Sequence, residues 1–393
     1  MSKDFYSAMN LSYEKGASPL DKIKGLSIPN YARVIVISDI HGELELLKGL
    51  LEKVNYSEKD YLIINGDLCE KGSNSKGVVS YLMKLSAHHP NVHIIEGNCD
   101  TLVEELLHEN PKLIHYLCTR KHSILNEWLA YLGYAVNEET HIQEVKEILI
   151  THFSKEIKWL TELPTAIEAE DYIFVHGGLE DIDNWKDTAR DTAITLPAFL
   201  DKSHQTNKYV IVGHWPVVNY SSDVSVHNPI IDQDKKIIAI DGGNVIKPTG
   251  QLNAFIIHRS PAKDMFSYTY LDHFPNYVVL EDFNAESTMI GSIHYPLYDI
   301  FPVERNENFT LCRQLETNRF LHVKNEYLKQ NQRGLFTAKT DVPCAQLSVK
   351  KGDIVSVVDD SCTGYSLVKK DGMVGWIPKG ILACKQQLVS AFR

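Results

Sequence analysis

The chain has 393 residues, longer than one hydrophobic core usually organises, so two or three domains are expected. A formal net charge of −11 argues against general binding to nucleic acid or anionic membranes, and no run approaches the roughly 20 apolar residues of a membrane span. Seven cysteines without a Cys-x-x-Cys pair, and a polar Met1–Asn30 segment with no signal-like apolar core, point to a soluble protein of the reducing cytoplasm.

In chain order, Ala32–Ile37 is an apolar β-branched run that reads as a buried strand, ending at Ser38-Asp39-Ile40-His41-Gly42. Glu43–Val54 reads as an amphipathic helix. The unit recurs: strand Asp60–Ile64, polar end Asn65-Gly66-Asp67, helix Val78–Ser86, then strand Asn91–Ile95 running into Glu96-Gly97-Asn98-Cys99-Asp100. Strands alternating with helices predict an α/β fold whose polar clusters gather at the strands' carboxyl ends. Leu102–Leu163 is helical by pattern and is a candidate cap over that rim. Short strands follow at Tyr172–Val175, Tyr209–Val212, Lys236–Ile240 and Leu252–His258. The segment 265–332 is rich in aromatic and turn residues and reads as a β-rich bridge. The rest alternates around Gly352-Asp353 and Lys370-Asp371-Gly372, as a small all-β barrel does. The expected plan is an extension over 1–30, a catalytic domain over 31–264, a bridge over 265–332 and a barrel over 333–393.

Five clusters carry chemistry together: Asp39-x-His41, Gly66-Asp67, Gly97-Asn98, His176-Gly177-Gly178 and Gly213-His214. Each follows an apolar strand. Asp67 lies 28 residues after Asp39 and Asn98 lies 31 after Asp67, about one strand-helix-strand unit each time. Carboxylate, imidazole and amide donors suit divalent metals such as manganese, iron or zinc. The adjoining glycines permit close backbone approach.

These motifs, with Trp159-Leu160-Thr161-Glu162-Leu163-Pro164, Gly213-His214-Trp215-Pro216-Val217 and Ile240-Asp241-Gly242-Gly243-Asn244, resemble the calcineurin-like metallophosphoesterases over about Arg33–His258. Within them they resemble the phosphoprotein-phosphatase (Ser/Thr phosphatase-like) branch and its bacterial relatives. The resemblance implies a sandwich of two mixed sheets with helices outside and two divalent ions at the rim, manganese ahead of iron or zinc. Asp39 and His41 would hold one ion, Asp67 would bridge, and Asn98, His176 and His214 would complete the second. It further implies hydrolysis of phosphomonoesters by a hydroxide shared between the ions. Asp67, Asn98, Lys71 and Asp100 are the candidate catalytic residues.

Two departures matter. Where that branch has Asp-Arg-Gly, this chain reads Glu70-Lys71-Gly72, replacing a bidentate guanidinium by an ammonium. Where it has a general-acid histidine after the asparagine, this chain has Cys99, a poor proton donor. Gly97-Asn98-Cys99-Asp100 is similar to small metallophosphoesterases that act on diesters. The substrate expectations are therefore a phosphorylated protein or small phosphate monoester first, and a phosphodiester or dinucleotide polyphosphate as the alternative. A third reading is a weakly active adaptor working through its barrel. Arg190 reads as a surface-helix residue sooner than a phosphate clamp, and His204 and His227 as surface or loop histidines.

Roughly Gly334–Leu382 resembles a Src-homology-3 barrel, carried by Leu347-x-x-x-x-Gly352-Asp353 and Gly375-Trp376-Ile377-Pro378. Trp376 and Tyr365 read as core. Gly334-Leu335-Phe336 stands where peptide-binding barrels have Ala-Leu-Tyr, and Lys379 follows Pro378, so a polyproline groove is incomplete. Docking on the catalytic domain is the alternative to peptide binding.

Overall fold

The computed structural model describes residues 19–332 and 334–384. In strand β2 (Arg33–Ile37), Val34 and Val36 face one way and Ile35 and Ile37 the other. The first pair packs between two sheets and the second against helices. Every central strand repeats this division, which is why each reads in sequence as an unbroken apolar run.

In chain order the catalytic unit contains β1 (Ile23–Gly25), β2, α1 (Leu44–Lys53), β3 (Tyr61–Asn65), α2 (Ser75–His88) and β4 (Val92–Ile95). Then come α3 (Leu102–Leu107), α4 (Lys112–Thr119), α5 (Ile124–Tyr131), α6 (Ile142–Thr161), β5 (Ala166–Glu168), β6 (Tyr172–Val175) and α7 (Arg190–Thr195). The strands β7 (Tyr209–Val212), β8 (Ser225–Val226), β9 (Ile230–Asp232), β10 (Ile237–Ala239), β11 (Leu252–His258) and β12 (Met265–Leu271) complete it. One sheet has the order β1-β5-β6-β7-β10-β9 and the other β12-β11-β2-β3-β4. Parallel and antiparallel pairs occur in both. Tyr172, Phe174, Ile211 and Ile238 from the first meet Val34, Val36, Ile63 and Phe255 from the second in a core between the sheets. This is the two-sheet, helix-flanked sandwich expected.

Two expectations need correction. Helices α3–α6 do not form a separate cap. Leu106, Leu117, Trp128 and Leu149 share one apolar core with Leu47 and Leu82 of α1 and α2, because that is where their apolar faces find burial. Nor does the catalytic sheet end at 264: β12 pairs with β11 from Leu252↔Leu271 to His258↔Met265.

The expected bridge is β-rich, and its strands repeat the order of the C-terminal barrel as a second, barrel-like unit. Strands Asp299–Arg305, Phe309–Gln314 and Phe320–Lys324, a turn at Asn325–Tyr327 and strand Leu328–Gln330 recur as Ile354–Asp359, Tyr365–Lys370, Met373–Pro378, Lys379–Ile381 and Leu382–Cys384. The two turns start 54 residues apart. Each barrel takes its leading strand from the other's side of the chain. Asn276–Val279, which precedes the first barrel, pairs with Ile354–Asp359 and Leu382–Cys384 of the second. Phe336–Ala338, which precedes the second, pairs with strands of the first. This exchange conceals the duplication in a one-dimensional reading. Trp376 is fully buried, donates to Pro343 O at 2.7 Å and lies in one core with Phe309, Leu321 and Leu367, so the barrels share their interior. Tyr365 packs at the edge of that core, its ring 5.0 Å from Phe309. Trp376→Ala should cost ~3–5 kcal/mol and unfold both barrels in one transition. Denaturant unfolding followed by hydrogen exchange checks this; loss of protection confined to 354–384 would contradict it.

Candidate functional site

The carboxyl ends of β2, β3, β4, β6 and β7 meet at one rim, and Asn65 joins the two sheets there. Its Nδ2 donates to Val175 O at 3.0 Å and Ile211 O at 3.2 Å, while its main-chain carbonyl accepts from Ser38 Oγ at 3.0 Å and His176 Nδ1 at 2.9 Å. The chain turns sharply after each strand. Asp39, His41, Asp67, Glu70, Lys71 and His214 all have positive φ, between 49° and 71°. Such a run of left-handed non-glycine residues costs about 1 kcal/mol or more each and clusters where function holds it. Glycine is required beside them: a Cβ on Gly97 would collide with the amide and carboxylate of Asp67, and one on Gly213 with Ser38 and Asp39.

All six expected ligands come together. Asp39, Asp67 and His176 present donor atoms within 4.8 Å of one another, and so do His41, Asp67 and Cys99. Asp67 belongs to both groups. His176 Nε2 is 3.3 Å from Asp67 Oδ1, and His41 Nε2 is 3.6 Å from Asp67 Oδ2. Asn98 Oδ1 and His214 Nδ1 converge at 2.8 Å. His41 Nε2 also lies 3.8 Å from Asp39 Oδ1, so the pair expected to share one ion is adjacent, and Cys99 adds a thiol beside it.

Outer contacts aim these donors. His41 Nδ1 bonds Cys69 O at 3.2 Å and His176 Nδ1 bonds Asn65 O, which turns each Nε2 toward the centre; burial opposes a charge on His176, but Asp67 raises it to about 10. Ser38 Oγ and the His214 amide donate to Asp39 Oδ2 at 2.5 and 3.1 Å, and the Cys99 amide donates to Asp67 Oδ1 at 2.8 Å. Asp39 Oδ1, His41 Nε2, His176 Nε2 and Asp241 Oδ2 are buried without a hydrogen-bond partner. Burial, then Asp241, pushes the Asp39 carboxyl well above its usual range. Burial likewise opposes the Asp67 carboxylate, but His176 and His41 outweigh it and hold the group well below that range. Burial lowers His41 and His214 to about 3, so both imidazoles are neutral and able to ligate. Buried anionic charge with unused lone pairs is a demand for cations. The residues present fit a pair of divalent ions.

The other candidates separate. Lys71 is half-buried and bonds Cys99; burial opposes its charge, but Cys99, Asp67 and Asp39 keep it above the usual lysine value. It stands in the site. Cys99 also stands there, 3.6 Å from Asn98 Nδ2, its thiol pushed well above its usual value by burial and then by Asp67. Asp100 does not face the centre. Its Oδ1 accepts from the Leu68 and Cys69 amides at 2.9 and 3.1 Å and its Oδ2 from Gly97 at 2.8 Å, pinning the Asp67 loop to the Asn98 loop. It is a positioning residue. Arg190 is neither a clamp nor a surface side chain: it forks onto Glu96 and Glu104 at 2.5–2.9 Å. His227 is fully buried, bonded to Gly242 O and Thr249 Oγ1 at 2.8 Å each, which corrects its surface reading.

Sequence reasoning missed Asn65, Ser38, Asn244 and Glu70. Glu70 accepts from the Ile124 amide and the Tyr116 hydroxyl at 2.8 Å each, tying helices α4 and α5 to the Lys71 turn. Burial pushes its carboxyl up to about 7. Its place in the motif was visible; its helical partners were not.

Residues 32–246, more than half of the chain, match the family described as calcineurin-like phosphoesterase. This chain belongs to that family. Residues 323–384 match the variant SH3 domain. Among curated relatives, a symmetrical bis(5'-nucleosyl)-tetraphosphatase of Buchnera aphidicola is 32% identical over 144 residues, 34% of this chain and 50% of that protein. One of Hamiltonella defensa is 27% identical over 176 residues, 43% of this chain and 55% of that protein. The chain thus spans about half the length of these relatives. A solved protein serine/threonine phosphatase of Saccharomyces cerevisiae is 14% identical, with a TM-score of 0.43 over 66% of this chain and 86% of that one. Among the described residues no helix is long and apolar enough to cross a membrane.

Asp100→Ala strips three buried amides of their acceptor, at ~1–3 kcal/mol for each group left unpaired. Thermal unfolding should show a midpoint lower by several degrees. An unchanged midpoint with activity lost would contradict positioning and favour a proton-donor role.

Proposed function

We propose that this phosphoesterase hydrolyses the phosphoanhydride chain of dinucleoside polyphosphates. The observation that carries the reading is Cys99, buried in the site at the position where a phosphomonoesterase of the resembling branch keeps its general acid. A serine alkoxide leaving group needs a proton in the transition state, and a thiol held above its usual pKa supplies one badly. A nucleotide leaving through a phosphate oxygen departs as a stable anion and needs no such donor. The names of the curated relatives support the same substrate class. The protein serine/threonine phosphatase reading rests on motif order alone and is the weaker of the two.

In this reading Asp39, His41, Asp67, Asn98, His176 and His214 hold two divalent ions, of which manganese is the first to test. Bound there, the ions would supply Lewis acidity toward the phosphoryl oxygens and an activated water. The chain's own residues do the rest. Asp67 is fixed by the Cys99 amide, so its carboxylate faces both donor groups without reorganisation. Lys71, charged and half-buried, meets a phosphate oxygen as a point charge, which tolerates a flexible polyphosphate better than a planar fork does. Glu70 orients that lysine's turn against α4 and α5.

With manganese present, hydrolysis of diadenosine tetraphosphate should exceed that of a phosphoserine peptide in kcat/KM by at least about tenfold. A preference for the peptide would overturn the proposal. Asp67→Asn should lower kcat on the order of a hundredfold or more while the thermal midpoint is kept; full activity would discard the shared-ligand role. Cys99→His should raise monoesterase activity relative to tetraphosphate cleavage. No shift in that ratio would show that position 99 does not set the choice.

A further inference from the structure

The loop Asp241–Gln251 lies between the candidate metal site and the C-terminal barrels and is gripped from both. On the metal side, Asn244 is buried and its Nδ2 donates to Ile40 O at 2.9 Å and Asp39 O at 3.4 Å, the backbone that carries Asp39 and His41. Asp241 O accepts from the Val217 amide at 2.9 Å, three residues past His214, and Asp241 is the charge that acts most strongly on Asp39. Within the loop, amide bonds from Lys247 to Gly243 O, Gly250 to Lys247 O and Gln251 to Gly242 O close it into one stiff turn.

On the barrel side, Lys247 Nζ meets Asp341 Oδ2 at 2.5 Å, with 4% and 13% of the two side chains exposed. Asp341 is itself held by the Tyr295 amide at 3.1 Å and by the Tyr298 hydroxyl. Lys369, fully buried, donates to Gly250 O at 2.9 Å and faces Asp272 at 3.4 Å, its ammonium 5.7 and 5.1 Å from the ring centres of Tyr270 and Phe274. The His227 amide bonds Gly372 O at 2.9 Å while its ring spans Gly242 O and Thr249, and β8 adds to the barrel strand Met373–Pro378. No peptide partner is needed to account for this face; the barrels already use it on their own chain.

We propose that the barrels set the metal affinity of the site through this loop, with Lys247, Asp341 and Lys369 as positioning residues. The grip fixes Asn244, Asn244 fixes the Asp39–His41 turn, and that turn presents two of the six ligands in left-handed conformations that the chain does not hold unaided. The proposal rests on the metal-site reading and can fail separately from it.

The test is manganese affinity by titration calorimetry on the full chain. Lys247→Met and Lys369→Met should each weaken binding about fivefold or more, and Lys247→Arg, which keeps the pair with Asp341, should restore it. Lys324→Met is the control: Lys324 is fully buried within the barrels and bonded to Asn308 O and Glu326, neither of which belongs to the loop. It should lower barrel stability and leave the affinity within twofold. Unchanged affinity in both methionine variants, or an equal loss in Lys324→Met, would overturn the proposal while the metal site stands. A wild-type chain that binds no manganese would overturn the metal-site reading and this proposal with it.

Discussion

The structure depends on an electrostatic demand at one rim. Asp39, Asp67 and Asp241 are buried together, and two of their oxygens find no donor in the protein. Left alone, such charge is costly inside a protein, by several kcal/mol for each unpaired ion. Neutral His41 and His214 cannot compensate it, and His176, whose charge Asp67 favours, and Lys71 compensate only part. The fold nevertheless spends strained backbone on keeping these groups close: six non-glycine residues in left-handed conformations, and glycines wherever a Cβ would intrude. That combination is intelligible as a preorganised cation site and as little else.

Around the demand, the scaffold is built to be stiff. Two sheets whose strands bury both faces place five loops at one edge, Asn65 joins the sheets at that edge, and Asp100 joins two of the loops. In the proposed function, specificity lies with Lys71 and Cys99. There Lys71 would offer a point charge and Cys99 almost no acid, a pair suited to substrates whose leaving group is already a good anion.

How much of this was legible in the sequence follows from how local each cause is. The strands announced themselves because burial on both faces leaves no polar alternation to obscure them, and Asp39, His41, Asp67, Asn98, His176 and His214 followed because each comes directly after such a strand. Asp100 and Arg190 were misread because their partners are remote: Asp100 bonds amides some thirty residues back, and Arg190 bonds Glu96 and Glu104 across the sandwich. His227 looked like a loop residue because nothing nearby in the chain says that a barrel covers it. The duplicated barrel was hidden for a related reason. Its leading strands are exchanged, so the pairing that reveals the repeat joins segments such as Asn276–Val279 and Leu382–Cys384, a hundred residues apart.

The most direct measurement is a crystal structure of the protein grown with manganese, with anomalous scattering used to locate the ions. Two peaks should appear on either side of the Asp67 carboxylate, roughly 3.5–4 Å apart. A single ion, ions bound elsewhere, or side chains at 39, 41, 176 and 214 turned away from Asp67 would contradict the account.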